Sequence, residues 1–186
     1  RAGSGDLSTP EGVDARMNSI PEPTYIDPTA DVSPDSSLGK GCEVWKWTTI
    51  RERACIGDGV SIGQFCYIDH GVTIGKRCKI QNGVNIYHGV VIGDEVFIGP
   101  AVTFTNDLHP RAVGDWEVVP TTVEDGVSIG ANATIVCGVQ VGEGAVVGAG
   151  SVVINDVPAG TLVVGNPARI VRPLNQRAPE SQIEEL

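Results

Sequence analysis

The sequence predicts an all-β fold, a parallel β-helix built of hexapeptide repeats, and three observations carry that prediction. The first is a period of six. From Val32 to Phe104 every sixth residue is apolar (Val32, Leu38, Val44, Ile50, Ile56, Ile62, Ile68, Ile74, Ile80, Ile86, Ile92, Ile98, Phe104), and the register returns at Val123, Ile129, Ile135, Val141, Val147 and Val153. The second is a companion residue, small or apolar, two places before the aliphatic, as at Cys42, Thr48, Ala54, Val60, Cys66, Val72, Cys78, Val84, Val90, Val96 and Val102. The third is glycine directly after the aliphatic, as at Gly39, Gly57, Gly63, Gly75, Gly93, Gly99, Gly130, Gly142 and Gly148.

A period of six matches neither the 3.6 of a helix nor the 2 of an ordinary sheet, so it reads as a structural repeat. Each unit is a short β segment followed by a turn. The aliphatic and the residue two before it share one face of the strand and both point inward. Glycine after the aliphatic is expected to serve the turn conformation and the close approach of stacked backbones. Three units close one triangular coil of 18 residues, and successive coils stack at a strand spacing of about 4.8 Å. The length allows about six such coils around one aliphatic core.

Composition narrows the function classes. The chain has 186 residues and a formal net charge of −10, which argues against nucleic acid or an anionic membrane as partner. An anionic substrate would need a local cluster of basic residues. Three of the five cysteines, Cys42, Cys66 and Cys78, take the inward position two before an aliphatic, where cysteine acts as a small hydrophobe. No disulfide framework or CxxC is present, so the expectation is a reduced, cytoplasmic protein. No apolar run approaches transmembrane length. The three histidines, His70, His88 and His109, lack ligand-like spacing, and no metal is expected.

Along the chain, residues 1–24 are polar, rich in Pro and Gly and without period, and read as a flexible arm. The repeat domain spans 25–172, and 173–186 form a charged tail. Between Phe104 and Val123 the step is nineteen, so about thirteen residues are inserted as one extended loop within about 105–122. A repeat fold places its chemistry where an insertion leaves the coil, because the coil itself presents short side chains. Residues 18 apart stack on the same edge of the prism. His70, His88 and Asn106 therefore form one column, and Asp69, Tyr87 and Thr105 form the next. Asn82 holds the same turn position as His88, one edge earlier.

At these residues the chain resembles a known family. The segments Lys79–Ala112 (KIQNGVNIYHGVVIGDEVFIGPAVTFTNDLHPRA) and Pro120–Arg172 look like the hexapeptide-repeat N-acetyltransferases of nucleotide-linked amino sugars, and most like those acting on a 3-amino group of a dTDP- or UDP-linked sugar. The resemblance covers roughly Tyr25 to Leu174. Its repeats and the closing Gly165–Ala168 are shared by many acyltransferases, whereas the IQN…Y and FTND…PR segments are more specific. It implies a left-handed coil, a homotrimer, and acetyl-CoA lying in the groove between subunits. The chemistry would be attack of a neutral sugar amine on the thioester, with no metal.

The resemblance also implies site residues. Asn82, which matches the family's IQN asparagine, is one catalytic candidate, and the other, His88, comes from a departure from the family's pattern rather than from the resemblance. Tyr87, Asn106, Asp107 and Arg111 would contact the sugar nucleotide. Ala131, Gly148, Ala149, Asn166, Pro167 and Arg169 would follow the CoA arm. This chain departs from the family where Tyr87-His88-Gly89-Val90 stands in place of Y-E-G-V, which makes His88 the candidate base. Trp45-Lys46-Trp47-Thr48-Thr49-Ile50 stands in place of a W-H-x-x-H-I pattern. Two alternatives compete: O-acetylation of a sugar on the same fold, and a non-catalytic β-helix scaffold.

Overall fold

The computed structural model describes residues 23–175, and these build a parallel β-solenoid of about eight turns with no helix. Most of the arm expected over 1–24 and most of the tail expected over 173–186 lie outside the described residues. Each strand of the coil is two or three residues long and pairs with the strand one coil away; only the closing hairpin strands are longer. Tyr25–Ile26, Glu43–Val44, Ser61–Ile62, Lys79–Ile80, Phe97–Ile98, Ser128–Ile129 and Val146–Val147 stack along one face. Asp31–Val32 through Val152–Val153 form the second face, and Ser37–Leu38 through Gln140–Val141 form the third. The expected count of about six coils is too low. Ile26, one unit before the first periodic aliphatic, and Val157 and Val163, beyond the last, also stack on the coil.

The periodic residues form the core as expected. Val44, Ile50, Ile62, Ile68, Ile80, Ile86 and Ile98 are buried, and so are the companions Cys42, Ala54, Val60, Val72, Val84 and Val102. Phe104, at the foot of the loop, is the one ring among these buried hydrophobics, because the prism interior is narrow. Polar companions are satisfied internally. The Thr48 hydroxyl donates to the Gly63 carbonyl at 2.6 Å and accepts from the Cys66 N–H at 3.2 Å. The Cys66 and Cys78 thiols donate to the carbonyls of Gln81 and Gly93 at 3.0 and 3.1 Å. All five cysteines are free, and burial pushes the Cys78 thiol up to about 11.

Glycine after the aliphatic serves only one of its two expected purposes. At Gly57 an added Cβ would lie 2.7 Å from the Gly75 carbonyl carbon and 2.8 Å from the Lys76 nitrogen, so the residue exists for close approach of the next coil. The left-handed backbone falls two residues later, three after the aliphatic. Glycine holds that position at Gly59, Gly71 and Gly83, but Trp47, Arg53, Phe65, Arg77, Glu95, Ala101 and Asn132 hold it elsewhere. Another turn device is a side-chain carbonyl accepting the backbone N–H from the coil before. Asp58 receives Lys40, Asn82 receives Gln64, and Asp94 receives Lys76, at 2.7–2.9 Å.

The insertion is as long as its spacing predicts. Val90 pairs with Thr121, an offset of 31 where other coils have 18, so thirteen residues loop out without disturbing the register. The loop closes on itself and on the coil: Val119 N–H donates to the Asn106 carbonyl at 3.0 Å, and Thr121 N–H to the Gly89 carbonyl at 3.1 Å. Beyond the coil, Thr161–Gly165 extends the first face and folds back antiparallel onto Ala168–Pro173, giving that sheet a hairpin as its last edge.

Candidate active site

Two prism edges carry the candidate residues. The turns after the second face hold Arg51 and Glu52, then Asp69 and His70, then Tyr87 and His88, then Thr105 and Asn106 with the loop. The turns after the first face hold Asn82, Ala131, Gly148 and Ala149, and the hairpin turn with Asn166 and Pro167 follows on the same side. The structure therefore brings His88 together with Tyr87, Asn106 and Asp107. It does not bring Asn82 or the six residues expected along a CoA arm to His88 within one chain.

The histidine column forms a physical stack. The rings of His70 and His88 lie nearly parallel, with centroids 4.0 Å apart and an interplanar angle of 11°. His88 Nδ1 sits 2.8 Å from the His70 carbonyl oxygen. A carbonyl only accepts, so Nδ1 carries the hydrogen, and in the neutral ring Nε2 keeps its lone pair. A proton acceptor with a fixed direction is thus half-buried beside the insertion. The loop's return limb lies against the next residue: Val118 Cγ1 occupies the space where Gly89 would carry a Cβ, 2.6 Å away.

Asp69 ties this arrangement together and is only 8% exposed. Its Oδ1 accepts the His70 backbone N–H at 2.8 Å and the Tyr67 hydroxyl at 3.2 Å, and lies 2.9 Å from His70 Nδ1. Its Oδ2 accepts the His88 backbone N–H at 3.1 Å, one coil higher. Burial pushes the Asp69 carboxyl upward. The hydrogen bonds from the His70 backbone and ring and from the His88 backbone outweigh it and hold the carboxyl below the usual range. Arg51 donates to the Tyr67 hydroxyl at 3.1 Å and pairs with Glu52 at 2.9 Å, holding the Glu52 carboxyl below its usual range. The sequence aligned Asp69 and His70 in columns without assigning them a role. The signal was their 18-residue spacing from Tyr87 and His88.

The remaining candidates occupy varied settings. Tyr87 is exposed and tilts its ring against Tyr67, centroids 5.6 Å apart. Asp107 Oδ1 accepts the His109 N–H at 2.7 Å, shaping its own loop, and Arg111 is exposed on that loop. Asn82 Oδ1 receives the Gln64 N–H at 2.9 Å and belongs to the turn ladder. The Ala131 carbonyl accepts the Gly150 N–H at 2.8 Å, while Gly148 and Ala149 line the turn above it. Asn166, Pro167 and Arg169 are exposed at the hairpin, Arg169 donating to the Ala168 carbonyl at 2.9 Å. Among the described residues no group of three or more His, Cys, Asp or Glu is arranged to hold a metal ion. No helix among them is long and apolar enough to cross a membrane.

Comparison with known proteins finds two partial family-model matches and related solved structures. The model for the hexapeptide repeat of succinyl-transferase matches residues 120–154, and the model for the GMPPB C-terminal domain matches residues 17–108. A solved hexapeptide-repeat-containing acetyltransferase from Vibrio cholerae, complexed with acetyl coenzyme A, is 32% identical. The match covers 80% of this chain and 72% of that one, with a TM-score of 0.50. The chain belongs to the hexapeptide-repeat acetyltransferase family. A left-handed coil is the hand consistent with that family. The GDP-perosamine N-acetyltransferase of Caulobacter crescentus, solved with CoA and GDP-perosamine, is also similar: 25% identical, TM-score 0.56, covering 80% of this chain and 56% of that one. Curated relatives in the family include the 2,3,4,5-tetrahydropyridine-2,6-dicarboxylate N-acetyltransferase of Staphylococcus aureus, 42% identical over 80 residues, 43% of this chain and 31% of that one. The galactoside O-acetyltransferase of Escherichia coli is 39% identical over 93 residues, 47% and 46% of the two chains. The chain spans less than half the length of these curated relatives.

Proposed function

We propose that the protein transfers the acetyl group of acetyl-CoA to an amine of a nucleotide-linked amino sugar, the 3-amino group of a dTDP- or UDP-linked sugar. The observation that carries this reading is the His88 ring, whose Nδ1 is taken by the His70 carbonyl at 2.8 Å beside the inserted loop. The neutral amine attacks the thioester carbonyl carbon, and a C–N bond forms as the carbonyl electrons move to oxygen. His88 Nε2 accepts the amine proton, the tetrahedral intermediate collapses, and the C–S bond breaks to release CoA as thiolate. A backbone N–H would hold the oxyanion. The site's main task is to bring amine and thioester to contact distance, a contribution of roughly 7 kcal/mol or more in well-oriented systems.

The candidate acyl-carrier edge and the histidine edge are separate in one chain, so this reading requires a second copy. A homotrimer would face the His88 edge of one subunit with the Ala131–Ala149 edge of its neighbour. Asn166, Pro167 and Arg169 would then flank the CoA, with Arg169 meeting its phosphates. Tyr87, Asn106, Asp107 and Arg111 would border the sugar nucleotide, with Asn82 near the amine from the neighbouring edge. The similarity to a protein solved with both CoA and a nucleotide-linked amino sugar supports the substrate class.

One specific likeness favours a second reading, O-acetylation of a sugar: the galactoside O-acetyltransferase matches over 47% of this chain, and a histidine base suits a hydroxyl acceptor. The test is thiol release from acetyl-CoA with dTDP- and UDP-linked 3-amino, 4-amino and hydroxy sugars. Turnover confined to a 3-amino sugar is the expected result. Turnover on hydroxy sugars alone would transfer the assignment to O-acetylation, and absence of both turnover and acetyl-CoA binding would sink it.

A further inference from the structure

Two imidazoles, rather than one, are built into this edge. His70 is held at its own Nδ1 by Asp69 at 2.9 Å. Its ring covers the ring of His88 at 4.0 Å and 11°. Below His88 the backbone of Gly71, at φ +66°, leaves an open seat: a Cβ there would stand 3.4 Å from His88 Nδ1 and Cε1. The His88 imidazole is therefore fixed by one hydrogen bond, to the His70 carbonyl, and by one face, on the His70 ring.

A single hydrogen bond does not fix an imidazole uniquely. Rotation by half a turn about the Cβ–Cγ bond exchanges the two ring edges, and the tautomer follows whichever nitrogen meets a donor or acceptor. The stacked ring holds the plane in which Nδ1 meets the His70 carbonyl, because turning the His88 plane out of parallel forfeits the contact along its whole face, and that carbonyl selects which ring edge it faces. The His70 ring is in turn prevented from rotating by the Asp69 carboxylate. That carboxylate also receives the backbone N–H groups of both histidines, at 2.8 and 3.1 Å, and so locks the two coils in step.

We infer that His70 is a positioning residue: its ring, oriented by Asp69, is the shelf that keeps His88 in the one orientation whose Nε2 lone pair is available to a substrate proton. This rests on the assignment of His88 as base in the proposed transfer. The shelf is a property of a face, so an aromatic ring without nitrogen supplies it. A direct proton role for His70 would instead need its Nε2.

The experiment compares His70→Ala, His70→Phe and His88→Asn with the wild-type protein by steady-state kinetics and by 15N NMR of the His88 imidazole in mildly alkaline buffer. Wild type is expected to show one protonated and one unprotonated ring nitrogen at His88. His70→Ala is expected to average the two signals and to lower kcat by about tenfold or more, the order expected from misplacing a reacting group, with KM for both substrates unchanged. His70→Phe is expected to keep the His88 signals distinct and most of kcat. Distinct His88 signals in His70→Ala would overturn the inference, and so would equal loss of kcat in His70→Ala and His70→Phe. The NMR signature needs no turnover. If wild type transfers no acetyl group, the proposed function fails while the shelf is still tested.

Discussion

Asp69→Asn tests whether the histidine edge is held by charge or merely by shape. The wild-type carboxylate takes the His70 N–H, the His70 ring and the Tyr67 hydroxyl on one oxygen, and the His88 N–H on the other. Asparagine keeps one oxygen for the first group, which turns its NH2 toward the His88 N–H. Donor then faces donor at a nearly buried position, and the His88 N–H loses its partner. A hydrogen bond to a charged acceptor is worth about 1.5–3 kcal/mol and a buried unpaired donor costs about 1–3 kcal/mol, so the variant is expected to lose about 2–4 kcal/mol of stability. The sign with pH follows from the depressed carboxyl of Asp69. A folded-state value below the unfolded one gives stability that is complete above the unfolded carboxyl range, near pH 4, and is lost as pH falls through the folded value. Urea denaturation of both proteins between pH 7 and pH 3 should therefore show a gap that is constant down to about pH 5 and narrows below it. A gap that stays level down to pH 3 would refute the electrostatic argument and leave only the change of shape.

The other predictions separate the parts of the molecule. Gly57→Ala forces a Cβ to 2.7–2.9 Å from backbone of the next coil, whereas Gly144→Ala meets nothing within 4 Å and bears only its φ of +62°; the first should cost about 2–4 kcal/mol and the second about 1 kcal/mol, measured by denaturant midpoint. Ile86→Ala removes a fully buried aliphatic side chain and should cost about 2–5 kcal/mol in the same assay. Deleting residues 107–119 removes the thirteen extra residues and restores the six-residue step. The variant should keep its β circular-dichroism spectrum and lose acetyl transfer, and full turnover would remove the loop from the site. Arg169→Ala leaves an exposed position and should raise KM for acetyl-CoA several-fold without lowering the melting temperature.

How far the sequence could be read depended on what repeats. The six-residue register predicted burial at every aliphatic from Val44 to Ile98, because inward direction is a strict consequence of strand alternation. The 18-residue spacing placed His70 against His88 and Asp69 beside them, and the nineteen-residue step gave the loop its length. What the spacing could not express was contact between columns. Asp69 reaches diagonally from its own turn to the His88 N–H, and that bond depends on side-chain rotation rather than on register. The left-handed turn position was equally hidden. Glycine marks it at more than half of these turns, but Trp47, Phe65 and five other residues adopt it too, because bonds to the stacked neighbours hold the backbone there. The hairpin of Thr161–Pro173 has no period to read and emerged only from pairing.

The split of the candidate residues between two edges also bears on the competing scaffold reading. Asp69 stabilises the stack, but stacking by itself does not call for a carboxylate that also holds a histidine ring. Asp58 and Asp94 each use one oxygen for one N–H, and Asp27 takes three donors that all come from its own coil, Tyr25 and Thr29. Asp69 instead serves two coils, two histidines and a tyrosine at once, and it does so where the insertion leaves the prism. The added bonds fix the direction of an imidazole whose second nitrogen the described residues leave as an acceptor. A rigidly held lone pair beside a loop is what a proton acceptor requires and what a spacer does not. The decisive comparison is His88→Asn against Asp69→Asn: a catalytic edge predicts that the first abolishes transfer while leaving the denaturant midpoint near wild type, and the second lowers both. A scaffold predicts that neither affects any acetyl transfer, because there is none to affect.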